Sequence, residues 1–314
     1  MGKADSRLLV IGAGVNGSAV AARLHVAGVN ITILARDKRF EELKSEGIVI
    51  ENPFNHQRTV THVPVIEQLE ATDLYDYLLV IVRKNQTFDL LPLLVKNNTP
   101  NIVFMGNNLT GPEPFIQALG AERVMMGAVF AAGKRDGSLI RAMVIKSVAS
   151  PFGELDGSIT PRLKRLADIF HQAGFKIQLS KDIVNTQRTH AVGVAIVAAL
   201  VLKHAGKVKQ LAHDTADLKL YAAARREGLQ LLRLMGYHIL PPMESWMVAV
   251  PVFIQVMATR WLLNSRLGEV GLEYHISQAP DEMQQLILEL AELVHRSGLP
   301  FPALRKVLEQ PVKI

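Results

Sequence analysis

Apolar positions along the chain change their spacing near residue 180. Up to that point short apolar runs recur at strand length, separated by stretches with helical spacing. Leu8–Ile11, Ile31–Leu34, Ile48–Ile50, Thr59–Val63, Tyr77–Val82 and Ile102–Met105 read as strands. The most uniformly apolar of them suit strands buried on both faces. Ser18–Ala27 and Gln86–Leu94 read as helices, and Gly111-Pro112 opens another that runs to Leu119, proline being favourable in a first turn. From Val124 the rhythm shifts. Val124–Phe130 and Leu139–Ile145 predict two strands joined across Lys134-Arg135-Asp136-Gly137, a hairpin signal. Pro161–Ala173 is helical, with Leu163, Leu166, Ile169 and Phe170 on one face, and Phe175–Leu179 is a last strand. Beyond Ser180 no strand pattern remains. Asp182–His204, Asp214–Met235, Pro242–Leu263 and Asp281–Arg296 read as helices, the third kinked or broken at Pro251, which lacks the N–H its turn needs.

The first strand runs straight into Gly12-Ala13-Gly14-Val15-Asn16-Gly17. Its glycines fall at the G-x-G-x-x-G spacing, and a small-residue helix and a second apolar strand follow. In a dinucleotide site the first glycine makes the tight turn and the second lets the backbone approach a pyrophosphate. The third lets helix and strand pack closely, leaving bare N–H groups for the phosphates. The motif is weak alone; the strand before it and the helix after it are what give it meaning. The fold class expected is therefore α/β: a Rossmann-type doubly wound sheet over residues 1–180, then an all-helical domain over 181–314. Arg36-Asp37-Lys38-Arg39 ends the second strand, where an acid would meet the ribose hydroxyls of NAD and an arginine the extra phosphate of NADP. Both residue types are present. Arg36 is nearest the strand end and two further basic residues follow, which favours NADP(H); a solvated charge cluster before a helix is the plainer alternative. Arg83-Lys84-Asn85-Gln86 ends a later strand, a position equally placed for a phosphate.

Composition narrows the function classes. The 314 residues contain no cysteine, so thiol nucleophiles, thiolate metal sites and disulfides are excluded, and no histidine spacing suggests a metal. The net charge of +6 is spread along the chain and aromatics are only 6%, unlike a nucleic-acid binder, and an anionic cofactor and substrate account for it as well. The longest apolar run, Ala191–Leu202, is too short to span a bilayer and ends in Lys203 and His204. With no signal-like start, a cytoplasmic protein without membrane attachment is expected.

Several segments together resemble the ketopantoate reductase (2-dehydropantoate 2-reductase) family. Ile11–Gly17 with Ala21-Ala22-Arg23-Leu24 is similar to its opening, and Ile33-Leu34-Ala35-Arg36 to its second-strand ending, where an arginine grips the NADP 2′-phosphate. Val80–Gln86 is similar to a segment that carries lysine and glutamine, with Arg83 in the lysine position and Gln86 in that of the glutamine. Asn107-Asn108-Leu109 resembles the loop beside the nicotinamide, with Asn107 matched. Glu282, sixteen residues before Gly298-Leu299-Pro300-Phe301-Pro302, has the spacing of the family's substrate-site glutamate. The resemblance implies a cofactor set of Gly12, Gly14, Val15, Asn16, Gly17, Arg36, Arg83, Gln86 and Asn107, and a homodimer as a possible assembly. It also marks departures. No lysine lies between Lys181 and Lys203, where the family places its proton donor; Gln187, Arg188 or His190 takes the position according to register. The asparagines that follow are replaced by apolar residues, Val192, Val194 and Ile196 among them, and a serine position falls at Val270.

A nicotinamide reductase must polarise a carbonyl and deliver a proton. His190 is the candidate donor, Arg188 a candidate for a substrate carboxylate, and Glu282 and Asn107 candidates for substrate or nicotinamide contacts. Each has a plainer reading as a helix-start, salt-bridge or turn residue. The reading expected is an NADPH-dependent reductase of a small 2-oxo acid. Its alternatives are a catalytically silent NADP-binding sensor or interaction protein, and an oxidoreductase for a larger, apolar substrate.

Overall fold

The computed structural model describes residues 6–145 and 148–309. The chain forms two compact units, Met1–Gly106 with Pro112–Val184, and Asn107–Gly111 with Asn185–Ile314.

In chain order the first unit contains β1 (Arg7–Ile11), α1 (Val15–Val26), β2 (Asn30–Leu34), α2 (Asp37–Glu46), β3 (Ile48–Glu51), β4 (Arg58–Thr61), β5 (Val65–Ile66), β6 (Tyr77–Val80), α3 (Lys84–Lys96), β7 (Ile102–Phe104), α4 (Glu113–Leu119), β8 (Val124–Gly127), β9 (Ala131–Asp136), β10 (Leu139–Val144), β11 (Ser150–Glu154), α5 (Pro161–Gln172) and β12 (Ile177–Leu179). The main sheet has the order β12-β11-β8-β7-β6-β1-β2-β5. Its neighbours are parallel except β8 and β11. From β1 the chain crosses one way to β2 and later the other way to β6 and β7, the reversal that defines a doubly wound sheet. Helices cover both faces, which is why Leu8–Ile11 of β1 are all apolar and buried. Leu8 and Val10 pack with Val20 and Leu24 of α1, while Leu9 and Ile11 pack with Leu90 and Leu94 of α3 and Phe115 of α4.

Two expectations are corrected. Val124–Phe130 is not half of a hairpin: β8 continues the βα rhythm and pairs with β7, Ile102 opposite Val124. The hairpin is β9–β10, with Asp136 opposite Leu139 across Gly137-Ser138, and with β3 and β4 it makes a separate four-stranded sheet, β4-β3-β10-β9. Gly127 marks the division, because a Cβ there would lie 2.4 Å from the Phe152 ring. The second correction is β11 itself. Ser150-Pro151-Phe152-Gly153-Glu154 shows no strand pattern, yet it is buried throughout. Its Glu154 carboxylate is held by Arg162 of α5, Nε to Oε1 at 2.8 Å and Nη2 to Oε2 at 2.6 Å, and by the Thr160 hydroxyl.

α6 (Ile183–Lys203) leads into the second unit, followed by α7 (Val208–His213), α8 (Thr215–Leu234), α9 (Met243–Met247), α10 (Val252–Asn264), α11 (Arg266–Gly268), a π-helical turn over Glu269–Glu273, α12 (Tyr274–Gln278), α13 (Pro280–Ser297) and α14 (Pro302–Leu308). Pro251 ends the α9 segment and caps α10. The apolar run of α6 is the core of this unit. Val192 and Ile196 face Gly228 of α8, where a Cβ would lie 2.7 Å from Val192 Cγ1 and 3.3 Å from Ile196 Cδ1. They stand in place of polar groups because they fill a helix–helix contact. The boundary drawn at 180 becomes Val184, and Asn107–Gly111 goes with the helical unit because Leu109 is buried in its core.

Removing Glu154 leaves the Arg162 guanidinium without its carboxylate partner. Glu154→Ala is expected to lower unfolding stability by about 3 kcal/mol, measured by urea denaturation.

Candidate functional site

The loop after β1 is shaped by its own packing. Gly12 has φ +115°, and a Cβ on it would sit 2.3 Å from the Ile81 carbonyl oxygen; one on Gly17 would sit 1.8 Å from the Gly12 carbonyl oxygen. Neither position admits a side chain. Gly14 is different. Its φ is −75°, an ordinary value, and a Cβ there would meet nothing within 4 Å. The fold does not need a glycine at that position, whereas a ligand backbone approaching the loop does. Gly14 caps α1, with no capping side chain and no acid in the first turn, so the positive end of the helix is left to an anion. Val15 and Asn16 open the helix. These features fit the pyrophosphate of a dinucleotide.

β6, β1 and β2 are adjacent and parallel, so the residues after them share one edge of the sheet. Arg36 is exposed at the start of α2. Arg83 caps α3 and is half-buried, and Gln86 is exposed on its first turns. Two basic residues of these segments are enclosed instead of solvated. Lys84 is 4% exposed, and Arg39 is 9% exposed beneath the glycine loop. Arg39 reads in the sequence as part of a surface cluster; the only hint of its burial is its place one helical turn before Leu43.

The second unit assembles the other candidates. Asn107 Nδ2 donates to Glu282 Oε1 at 3.2 Å, joining residues 175 positions apart. Glu282 is buried near the start of α13. Arg188 is buried too, with Nε 3.3 Å from the Leu109 carbonyl and Nη2 3.5 Å from that of Thr110, while its guanidinium lies 4.2 Å above the Tyr237 ring. Its planar fork holds the Asn107–Gly111 loop. His190 is exposed on α6 between buried neighbours. Loss of hydration first of all, and then the His275 imidazole, lower its pKa to about 4. Such a ring is neutral at pH 7 and is a weak proton donor until an anion binds beside it. His275, on α12, belongs to no motif and is not singled out by the sequence. Among the described residues, His204, Asp214 and Asp217 are close enough for a metal, but Lys203 Nζ already lies 2.6 Å from Asp217 Oδ2.

Residues 8–149 match the family model described as "Ketopantoate reductase PanE/ApbA". Over these residues the chain is similar to the ketopantoate reductase family. The chain is 26% identical over 180 residues to "Uncharacterized oxidoreductase YkpB" of Bacillus subtilis, covering 56% of this chain and 58% of that protein. It is 24% identical over 233 residues to the 2-dehydropantoate 2-reductase of Archaeoglobus fulgidus, covering 74% and 75%. Similar solved structures include 2-dehydropantoate 2-reductase from Geobacter metallireducens, with TM-score 0.77, 18% identity and coverage of 96% and 97%. Another is the ternary structure of D-mandelate dehydrogenase with NADH and anilino(oxo)acetate, with TM-score 0.77, 15% identity and 96% coverage of both chains. At these identities the structures speak for the fold. No helix among the described residues is long and apolar enough to cross a membrane.

The His190 environment is directly measurable. Its imidazole is expected to titrate near 4 by NMR in the ligand-free protein, and His275→Ala is expected to raise that value. Between the folded pKa and the ordinary value near 6.5 the unfolded chain binds the extra proton. This residue's contribution therefore makes stability fall as pH drops through that window.

Proposed function

We propose that this chain is an NADPH-dependent reductase of a small 2-oxo acid. The observation that carries the reading is Gly14, a glycine with an ordinary φ and open space around it, flanked by two glycines that packing requires. The first unit is assigned the cofactor through Gly12, Gly14, Val15, Asn16 and Gly17, with Arg36 taking the 2′-phosphate and Arg83 and Gln86 completing the set. The nicotinamide, when bound, supplies the hydride. The second unit is assigned the substrate. Asn107 is oriented by Glu282 to hold an oxygen of substrate or a water, and Arg188 keeps the Asn107 loop in place. His190 gives the proton after a bound carboxylate raises its pKa, since a nearby negative charge favours the imidazolium.

A silent NADP-binding protein is the second reading. It is favoured by one observation: the imidazole assigned to proton delivery is neutral at pH 7 without ligand. Loss of reduced-nicotinamide absorbance on mixing with NADPH and a panel of 2-oxo acids separates the two. Turnover that falls by about 100-fold or more in His190→Ala supports the first reading. NADPH binding without turnover of any 2-oxo acid supports the second.

The partner we propose is a second copy of this chain, seated on α9 and α10. Trp246, Phe253, Ile254, Met257 and Trp261 are all exposed, the two tryptophans at 75% and 74%. Their charged neighbours are turned to their own chain, Glu244 to Arg225 and Arg260 to the Ala212 carbonyl. Phe253, Met257 and Trp261 repeat every four residues. An antiparallel copy about a twofold axis through Met257 would therefore place Phe253 against Trp261, the self-complementarity that an isologous contact demands. The three aromatics alone expose on the order of 400 Å², about half of one side of a standard interface. Light scattering is expected to give twice the chain mass, and Trp261→Glu the single mass; a monomeric wild-type chain would refute this assembly.

A further inference from the structure

Arg39 lies inside the first unit, where the cofactor role proposed above uses no other buried cation beside the glycine loop. Its Nε donates to the Ala13 carbonyl at 3.2 Å and its Nη2 to Ser18 Oγ at 3.3 Å. Ser18 Oγ itself donates to the same Ala13 carbonyl at 3.2 Å, and Glu42 accepts from Nη1 at 3.0 Å. Ala13 is the middle residue of Gly12-Ala13-Gly14. In a trans peptide the C=O and the following N–H point in opposite directions. Two donors that hold the Ala13 oxygen inward therefore turn the Gly14 N–H outward, on the side that Gly14 leaves open. The site is electrostatically poor for a cation without an anion nearby. It adjoins the positive end of α1. Burial lowers the Arg39 pKa first of all, Arg135 lowers it further, and Glu42 and Glu46 act against both.

We propose that Arg39 is a positioning residue for the dinucleotide, fixing the peptide between Ala13 and Gly14 so that its N–H is ready for a phosphate before the cofactor arrives. The inference rests on the cofactor reading and adds a role separate from that of Arg36. Arg36 would act on the 2′-phosphate alone. Arg39 acts on the part of the loop that NADPH and NADH share.

Titration calorimetry of four variants tests it, each checked for an unchanged denaturation midpoint. Arg39→Gln is expected to weaken NADPH and NADH by the same factor, on the order of tenfold, whereas Arg36→Gln weakens NADPH alone. Arg39→Lys is expected to stay weak, because one ammonium does not reproduce the fork on Ala13 and Ser18. Ser18→Ala keeps the cation and removes one anchor; it is expected to weaken both nucleotides by about threefold, and it carries the test if Arg39→Gln does not fold. A wild-type chain that binds neither nucleotide overturns the cofactor reading together with this inference. A wild-type chain that binds both, with Arg39→Gln binding equally, overturns this inference alone. So does a loss confined to NADPH, or full rescue by lysine.

Discussion

The approach of the loop after β1 to its own helix is the constraint from which the rest of the first unit follows. A hypothetical Cβ on Gly17 would lie 1.8 Å from the Gly12 carbonyl oxygen, so helix and turn are in backbone contact. That contact seats the start of α1 directly over the end of β1, with Leu8 and Val10 packed on the helix above them. It also leaves the helix N-terminus uncapped by any side chain. Close packing thus leaves the start of α1 without a side-chain cap, open to an anion. A helix so placed has donors without partners, and the chain supplies neither an acid nor a capping hydroxyl to take them.

The second unit shows the opposite economy. Its polar candidates are few, and each is tied to a specific neighbour: Asn107 to Glu282, and Arg188 to the loop carbonyls and Tyr237. The Asn107–Gly111 loop follows a strand of the first unit, yet it is anchored in the helical core through Leu109. An arginine in the region where the family has a lysine does not donate a proton at ordinary pH. It contacts the carbonyls of Leu109 and Thr110, and under the proposed reading the proton would come from His190 or from water.

Legibility varied with the kind of physics involved. The β1–α1–β2 unit was readable because uniform apolar runs and glycine spacing are local signals. The helix that carries Ala191–Leu202 was readable from its apolar residues; that it forms the core of its unit is a tertiary fact. β11 was not, since Pro151, Gly153 and Glu154 make a strand only because β8 and β12 pair with it and Arg162 neutralises its carboxylate. The hairpin was placed one strand too early because β9 ends in Lys134-Arg135-Asp136 and reads as a turn, while its pairing with β10 is a tertiary fact. Glu282 and Asn107 were named from the resemblance to the family, but their hydrogen bond is a tertiary fact. Arg39 was hidden because a charged residue in a polar stretch reads as solvated, and only burial shows otherwise.

Gly14→Ala tests the central claim most directly, because it adds one methyl group to open space at the point where a ligand should approach. Denaturation and NADPH titration on the same preparation decide it. The account predicts an unchanged unfolding midpoint with NADPH bound at least about tenfold more weakly. Wild-type affinity in a folded Gly14→Ala protein would contradict it.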